Sequence, residues 1–181
     1  TGEPDAPPAR SGVSVIDFAG GVTAMLGLVI GLLGAQRTGR GCDVDVSLLE
    51  SLFQLMSPLV TLYGLTGELQ ARLGAGLPYT VPRGTYRCAD GKWVGISASS
   101  DSVAARVLRL IGVEGDDRFA TFAARMANRE PLEALMGEWC AARTQAEVFA
   151  AFPAAEPAIG PLLDLAEIAA DPHYAARAAI V

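Results

Sequence analysis

The chain has 181 residues, enough for one large domain or two small ones, and at 51% hydrophobic and 19% charged it should build a core. Its net charge of -6, with no basic block anywhere, excludes a nucleic-acid-binding surface, which needs clustered Lys and Arg. The cysteines Cys42, Cys88 and Cys140 are odd in number and lack CxxC spacing, which argues against both a disulfide framework and a zinc site.

The first residues, Gly2-Glu3-Pro4-Asp5-Ala6-Pro7-Pro8, read as an extended connector. No initiator Met or signal peptide precedes them, and the chain stops in an apolar run, Ala178-Ala179-Ile180-Val181, so a longer protein is expected. A short β-branched segment, Val13 to Ile16, then leads into an uncharged run over 18–35, predicted to be a long helix. Asp17 stands at the junction. It can serve as the helix N-cap, its side chain accepting a backbone N–H, or as a catalytic carboxylate. The two roles are compatible, because a helix N-terminus favours negative charge.

Gly20, Gly21, Gly27, Gly31 and Gly34 weaken a lone helix but permit close backbone packing. The run also reaches the lower limit of a bilayer span, and Gly27-x-x-x-Gly31 matches a membrane-helix dimer motif. The missing aromatic belt and the ordinary stop at Gln36-Arg37-Thr38-Gly39-Arg40-Gly41 favour a helix buried in a soluble enzyme. That glycine pair could cradle a phosphate, though a plain turn explains it as well.

Cys42-Asp43-Val44-Asp45-Val46 alternates in polarity and predicts a short strand. Ser47-x-x-Glu50 forms a capping-box pattern opening a helix over 47–65, kinked at Pro58, whose apolar stripe is core or a dimer seam. Residues 67–84, rich in Gly and Pro, read as a linker between a segment 1–66 and a small domain 85–181. In that domain Asp90-Gly91, between Tyr86-Arg87-Cys88 and Trp93-Val94-Gly95-Ile96, signals a hairpin.

Asp101 or Ser102 should cap a helix carrying Val103, Val107, Leu108 and Ile111 and stopped by Gly112. Leu132, Leu135, Met136 and Trp139 mark another helix, and Thr144-x-x-Glu147 opens a third with Val148, Phe149 and Phe152. Pro161 to Leu163 is expected to return as a strand beside the hairpin, before short helices begin at Asp164-x-x-Glu167 and Asp171-Pro172. His173, with no metal-ligand partner nearby in sequence, belongs to the last of these; Cys88 and Cys140 should pack as small hydrophobes. The pattern is α+β, a small antiparallel sheet on one side and helices on the other.

For chemistry, the sequence holds no Ser-His-Asp constellation, no HExxH and no Walker loop, and no metal site is expected. The pairs Asp43/Asp45 and Asp116/Asp117 read as solvated faces or turns. Asp17 is the carboxylate that apolar residues surround, with glycines following that would let a substrate approach the backbone.

The order and spacing of several motifs resemble the class III (family III) CoA-transferases, which include formyl-CoA:oxalate and carnitine CoA-transferases and α-methylacyl-CoA racemase. The matching residues are Gly2-x-Pro4-x-x-Pro7-Pro8, then Asp17 with Ala19, Gly20 and Gly21. They continue with Thr38-Gly39-x-Gly41-x-x-Val44-Asp45-Val46-Ser47-Leu48-x-Glu50 and Tyr86-x-x-x-Asp90-Gly91. Arg118-Phe119, and Pro161 through Asp171-Pro172 to Arg177, complete the pattern.

The resemblance implies that residues 1–66 end the first segment of a Rossmann-like large domain, that 85–181 form the small α+β domain, and that most CoA contacts lie in a missing N-terminal half. It implies a cytoplasmic enzyme, an interlocked homodimer with no membrane or nucleic-acid partner, acting on an acyl-CoA and a carboxylic acid acceptor. Coenzyme A thioester is then a substrate, and no tightly bound cofactor is expected. Asp17 would be the nucleophile, passing through a mixed anhydride and an aspartyl-CoA thioester. Gly20 and Gly21 would be backbone neighbours of the acyl group.

A racemase would use the same Asp for proton exchange at the α-carbon. Racemases of this family read Tyr-Tyr-Asp where this chain has Pro82-Arg83-Gly84, and a Glu where it has Ser99-Ser100, so transferase chemistry is the preferred expectation. From another class, the chain could be a non-catalytic partner that keeps the fold. The isolated 181 residues are expected to be inactive and to self-associate.

Overall fold

The computed structural model describes residues 2–56, 58–152 and 158–179. The chain divides into two compact units, Thr1–Arg72 and Leu73–Val181.

The first unit is built on α1, Val15–Thr38, which ends where Gly39 takes a left-handed φ of 70° and returns its N–H to the Ala35 carbonyl at 2.8 Å. The Thr38-Gly39-Arg40-Gly41 stretch is therefore a helix stop. The chain then runs back antiparallel along α1. Residues 42–46 stay extended but join no sheet, so the expected strand does not form. The alternation reflects a different geometry, in which Cys42 and Val44 face the glycines of α1. Ideal Cβ atoms at Gly31 and Gly27 would lie 3.0 Å from Cys42 Sγ and 2.7 Å from Val44 Cγ1. Without a neighbouring strand there is no ladder to complete.

Ser47 caps α2, Leu48–Leu55, accepting the Glu50 N–H at 3.3 Å. The expected single helix over 47–65 is instead two, with α3 spanning Leu59–Thr66. Pro58 has no N–H to give and its ring would crowd the carbonyl of residue 54, so the helix stops and restarts where a kink was expected. Gly67, at φ 72°, ends α3. The proline-rich arm is tied down by Arg72, whose Nε donates to the Glu3 carbonyl and whose Nη2 donates to those of Pro4 and Ala6, both at 2.7 Å.

The second unit holds a three-stranded antiparallel sheet, β1 Arg83–Arg87, β2 Trp93–Ser97 and β3 Ala158–Pro161, in the order β1-β2-β3. The hairpin forms at Asp90-Gly91, with Gly91 at φ 81° and Arg87 opposite Trp93. β3 pairs with β2 from Val94↔Pro161 to Ser97↔Ala158, a few residues before the expected Pro161–Leu163. Thr80, Val81 and Pro82, inside the glycine- and proline-rich stretch, are buried in this unit.

Helix α4, Asp101–Leu110, is capped by Ser100, which accepts the Val103 N–H at 3.3 Å, and not by Asp101 or Ser102. Asp101 is thereby the first helical residue and pairs with Arg125 of α5, Phe122–Ala127. α6, Arg129–Ala141, buries Leu132, Met136 and Cys140 at its usual 3–4-residue spacing. α7, Gln145–Ala151, opens with the complete Thr144/Glu147 capping box, and α8, Leu165–Ala170, with that of Asp164 and Glu167. In α9, Pro172–Ala176, Asp171 accepts the His173 N–H at 2.7 Å and His173 stands in the first turn.

One core joins Tyr86, Val94 and Ile96 of the sheet to Val107, Met136, Cys140, Val148 and Phe152; a second gathers Val81, Leu108, Phe119 and Leu132. Cys88 and Cys140 pack there as free thiols, and burial pushes the Cys140 thiol up to about 12.

Candidate active site

Helix α1 covers a stripe of small residues, of which Gly20 is buried and the others half-buried, and exposes its large ones. Gly20, Ala24, Gly27, Gly31 and Ala35 form the covered face, while Phe18, Met25, Leu26, Leu28, Ile30 and Leu32 are each about 60% exposed or more. The glycines let the returning chain come within side-chain contact. At Gly20 an ideal Cβ would lie 2.2 Å from Leu48 Cδ2, so any larger residue there would force the Leu48 side chain to move. Leu52, one turn further along α2, then reaches the start of α1 and forms one wall of an open groove.

That groove, about 580 Å³, is lined by residues 10–17 together with Leu52. Asp17 is an exposed wall residue. It is the third residue of α1 and not its cap. Ser14 holds the N-cap position and its side chain makes no capping bond. The first-turn N–H groups of Ile16 and Asp17 thus have no side-chain cap, and the positive end of a 24-residue helix opens toward the groove.

The three expected site residues share the first two turns of α1 with unequal surroundings. Asp17 lines the groove, Gly20 is buried under Leu48, and Gly21 faces open space with nothing within 4 Å of an ideal Cβ. Gly20 and Gly21 lie inside the helix, where backbone N–H groups bond the carbonyls four residues back. Their N–H groups therefore cannot double as oxyanion donors; the first-turn donors of Ile16 and Asp17 remain for that.

Sequence reading gave no role to Arg10, the one cation lining the groove among the described residues. Its signal is faint: a basic residue two places after Pro7-Pro8, at the end of the arm that Arg72 holds.

The motif residues of the second unit prove structural. Tyr86 donates its hydroxyl hydrogen to Glu133 Oε2, and Glu133 Oε1 accepts the Arg83 N–H at 3.0 Å, joining β1 to α6. Burial and the adjacent Glu133 carboxylate raise the Tyr86 phenol far above its usual range. Asp90 accepts the Lys92 N–H at 3.2 Å and the Gln145 N–H at 3.1 Å, which pins the hairpin turn to the start of α7. Arg118 stacks over the fully buried Phe119 ring. Among the described residues no cluster of three or more His, Cys, Asp or Glu side chains gathers to hold a metal.

The first unit thus presents an exposed carboxylate on an open groove at a helix start. The model for CoA-transferase family III matches residues 1–181, and the chain belongs to that family. It is 33% identical over its whole length to the succinyl-CoA–D-citramalate CoA-transferase of Chloroflexus aurantiacus, covering 46% of that protein. It is also 33% identical to the acetyl-CoA:oxalate CoA-transferase of Acetobacter aceti, over 98% of this chain and 46% of the relative.

Among solved structures, a CAIB/BAIF family protein from Brucella suis matches at 29% identity with a TM-score of 0.75, over 98% of this chain and 47% of that one. Rv3272 from Mycobacterium tuberculosis, at 22% identity and a TM-score of 0.80 over 98% of this chain and 46% of that one, shares the fold. The chain spans about half the length of the curated relatives it matches.

Proposed function

We propose that this chain carries the nucleophile of an acyl-CoA:carboxylate CoA-transferase, and that Asp17 is that nucleophile. The observation that carries the reading is an exposed carboxylate at the uncapped start of α1, on a groove, in a chain whose family relatives are CoA-transferases by name.

The Asp17 carboxylate attacks the thioester carbonyl carbon of acyl-CoA. The C–S bond breaks, CoA leaves as its thiolate, and a mixed anhydride joins Asp17 to the acyl group. The thiolate then attacks the Asp17 carbonyl carbon, releasing the donor carboxylate and leaving an aspartyl-CoA thioester. The acceptor carboxylate attacks that thioester to give a second anhydride and the thiolate again. Attack of the thiolate on the acceptor's carbonyl releases the new acyl-CoA and restores Asp17.

Each addition places negative charge on a carbonyl oxygen, which the first-turn N–H groups and helix dipole of α1 are positioned to offset. Gly20 serves the site by letting α2 bring Leu52 to the groove, and Gly21 leaves room beside Asp17 for the acyl group. The bare outer face of α1 supports assembly as an interlocked homodimer. Pro82-Arg83-Gly84 and Ser99-Ser100 stand against racemase chemistry.

The test is a trap. Full-length protein incubated with acyl-CoA and hydroxylamine should become modified at Asp17, read by mass spectrometry of its peptide. Modification at another residue, or none while CoA is still transferred, would remove Asp17 from the role.

A further inference from the structure

The groove beside Asp17 carries a chemical problem that the proposed reaction makes acute. A carboxylate acceptor must be drawn into the groove once Asp17 has become the uncharged aspartyl-CoA thioester, and other negative charge nearby repels it. The chain as a whole adds to this, with its net charge of -6. Within the groove, Arg10 supplies the opposing charge; Ser11, Ser14 and glycine or apolar side chains make up the rest of the lining besides Asp17.

Arg10 is free to act. Among the described residues its guanidinium has no carboxylate or carbonyl partner. Arg72, the other arginine bound to this arm, is fully committed to the carbonyls of Glu3, Pro4 and Ala6. Those bonds anchor the chain four residues before Arg10, which limits how far the Arg10 backbone can swing.

A guanidinium presents two parallel N–H donors that match one carboxylate. A carboxylate held in that fork is a poor nucleophile, because its lone pairs are engaged. The group that Arg10 holds is therefore not the one that reacts. We propose that Arg10 determines acceptor specificity by binding the second, unreacting carboxylate of a dicarboxylic acid, while its first carboxylate reaches the Asp17 centre past Val13, Val15, Ile16 and Leu52. This rests on the CoA-transferase reading of Asp17.

The experiment uses the full-length protein with succinate and butyrate as acceptors, which differ by a carboxylate in place of a methyl group. The wild type should prefer succinate. In Arg10→Met the ratio of kcat/KM for succinate over butyrate should fall by at least about tenfold, mainly through the KM for succinate. Arg10→Lys, which keeps the charge and loses the fork, should fall between the two. An unchanged ratio in Arg10→Met, or equal losses on both acids, would overturn the proposal and leave Arg10 a structural residue. A wild type that transfers CoA to both acids without preferring succinate would also overturn it, with the role of Asp17 intact. A wild type that forms no adduct at Asp17 and transfers to neither acid would sink the CoA-transferase reading itself.

Discussion

The two units spend the same kind of residue in opposite ways. Every buried apolar side chain of the described core, from Val81 to Phe152, belongs to the second unit. In the first unit only Gly20 and Ser51 are buried among the described residues, while α1 leaves Leu28 64% exposed and Phe18 75%. Hydrophobicity alone therefore does not make a core. An element buries its apolar face only when its partner elements are on the same chain, as the sheet, α4, α6 and α7 are for one another. The face of α1 that does close is the small-residue face, where the returning segment 42–52 supplies the partner. Its bulky face stays bare among the described residues, and the candidate site lies on that open unit.

The largest expected effect sharpens this contrast. Leu132→Ala, at a fully buried position, should cost about 2–5 kcal/mol in denaturant unfolding of the 181-residue chain. Leu28→Ala should stay within about 0.5 kcal/mol in the same chain, as exposed positions do. In the full-length protein the Leu28 variant should become costly, on the order of 2 kcal/mol, as its face is covered. Equal costs at Leu28 in both lengths would break the comparison.

A smaller pair separates neighbouring glycines. Gly20→Val must displace Leu48, and overpacking of that kind costs about 1–3 kcal/mol. Gly21→Ala meets open space in a helix interior and should stabilise by up to about 1 kcal/mol. Thermal unfolding of the 181-residue variants measures both. A destabilised Gly21→Ala would mean that its side of the helix is occupied.

The smallest effect is electrostatic and confined to the second unit. Tyr86 has a raised pKa when folded, so its neutral form is favoured in the native state. Its contribution is fully present below the unfolded value of about 10 and is lost as pH rises from there toward the folded value. Tyr86→Phe should flatten the alkaline fall in melting temperature above about pH 10. An unchanged slope would mean that the buried Tyr86 phenol is not the source.

What was legible in the sequence was local. The boxes at Thr144/Glu147 and Asp164/Glu167, the Asp171-Pro172 start and the Asp90-Gly91 turn each involve residues within a few places of one another, and the structure holds all of them. The errors arose where local pattern had two physical causes. Alternation at 42–46 comes from packing on the glycines of α1 as readily as from a strand, and Pro58 breaks what periodicity presents as one helix.

The pairs Asp101–Arg125 and Tyr86–Glu133, and the hold of Arg72 on Glu3, join residues 24, 47 and 69 apart, beyond the reach of any window. At the site, the position of Asp17 near a helix start was readable. Its place three residues inside that helix depended on Ser14 taking the cap position, and the groove depended on Leu52 returning from α2. The burial of Gly20 likewise required knowing what crosses it.

The most direct test of the account is Asp17→Asn in the full-length protein, measuring the rate of CoA transfer from acyl-CoA to a carboxylic acid alongside the melting temperature. Asn keeps the size of the side chain and removes the nucleophilic oxygen anion. The account predicts that transfer falls by about a thousandfold or more, while stability changes by about 1 kcal/mol or less, the scale of one charge at a helix start. A variant that still transfers CoA at more than a few per cent of the wild-type rate, with mass spectrometry showing Asn intact at position 17, would contradict it and leave Asp17 as an ordinary first-turn carboxylate.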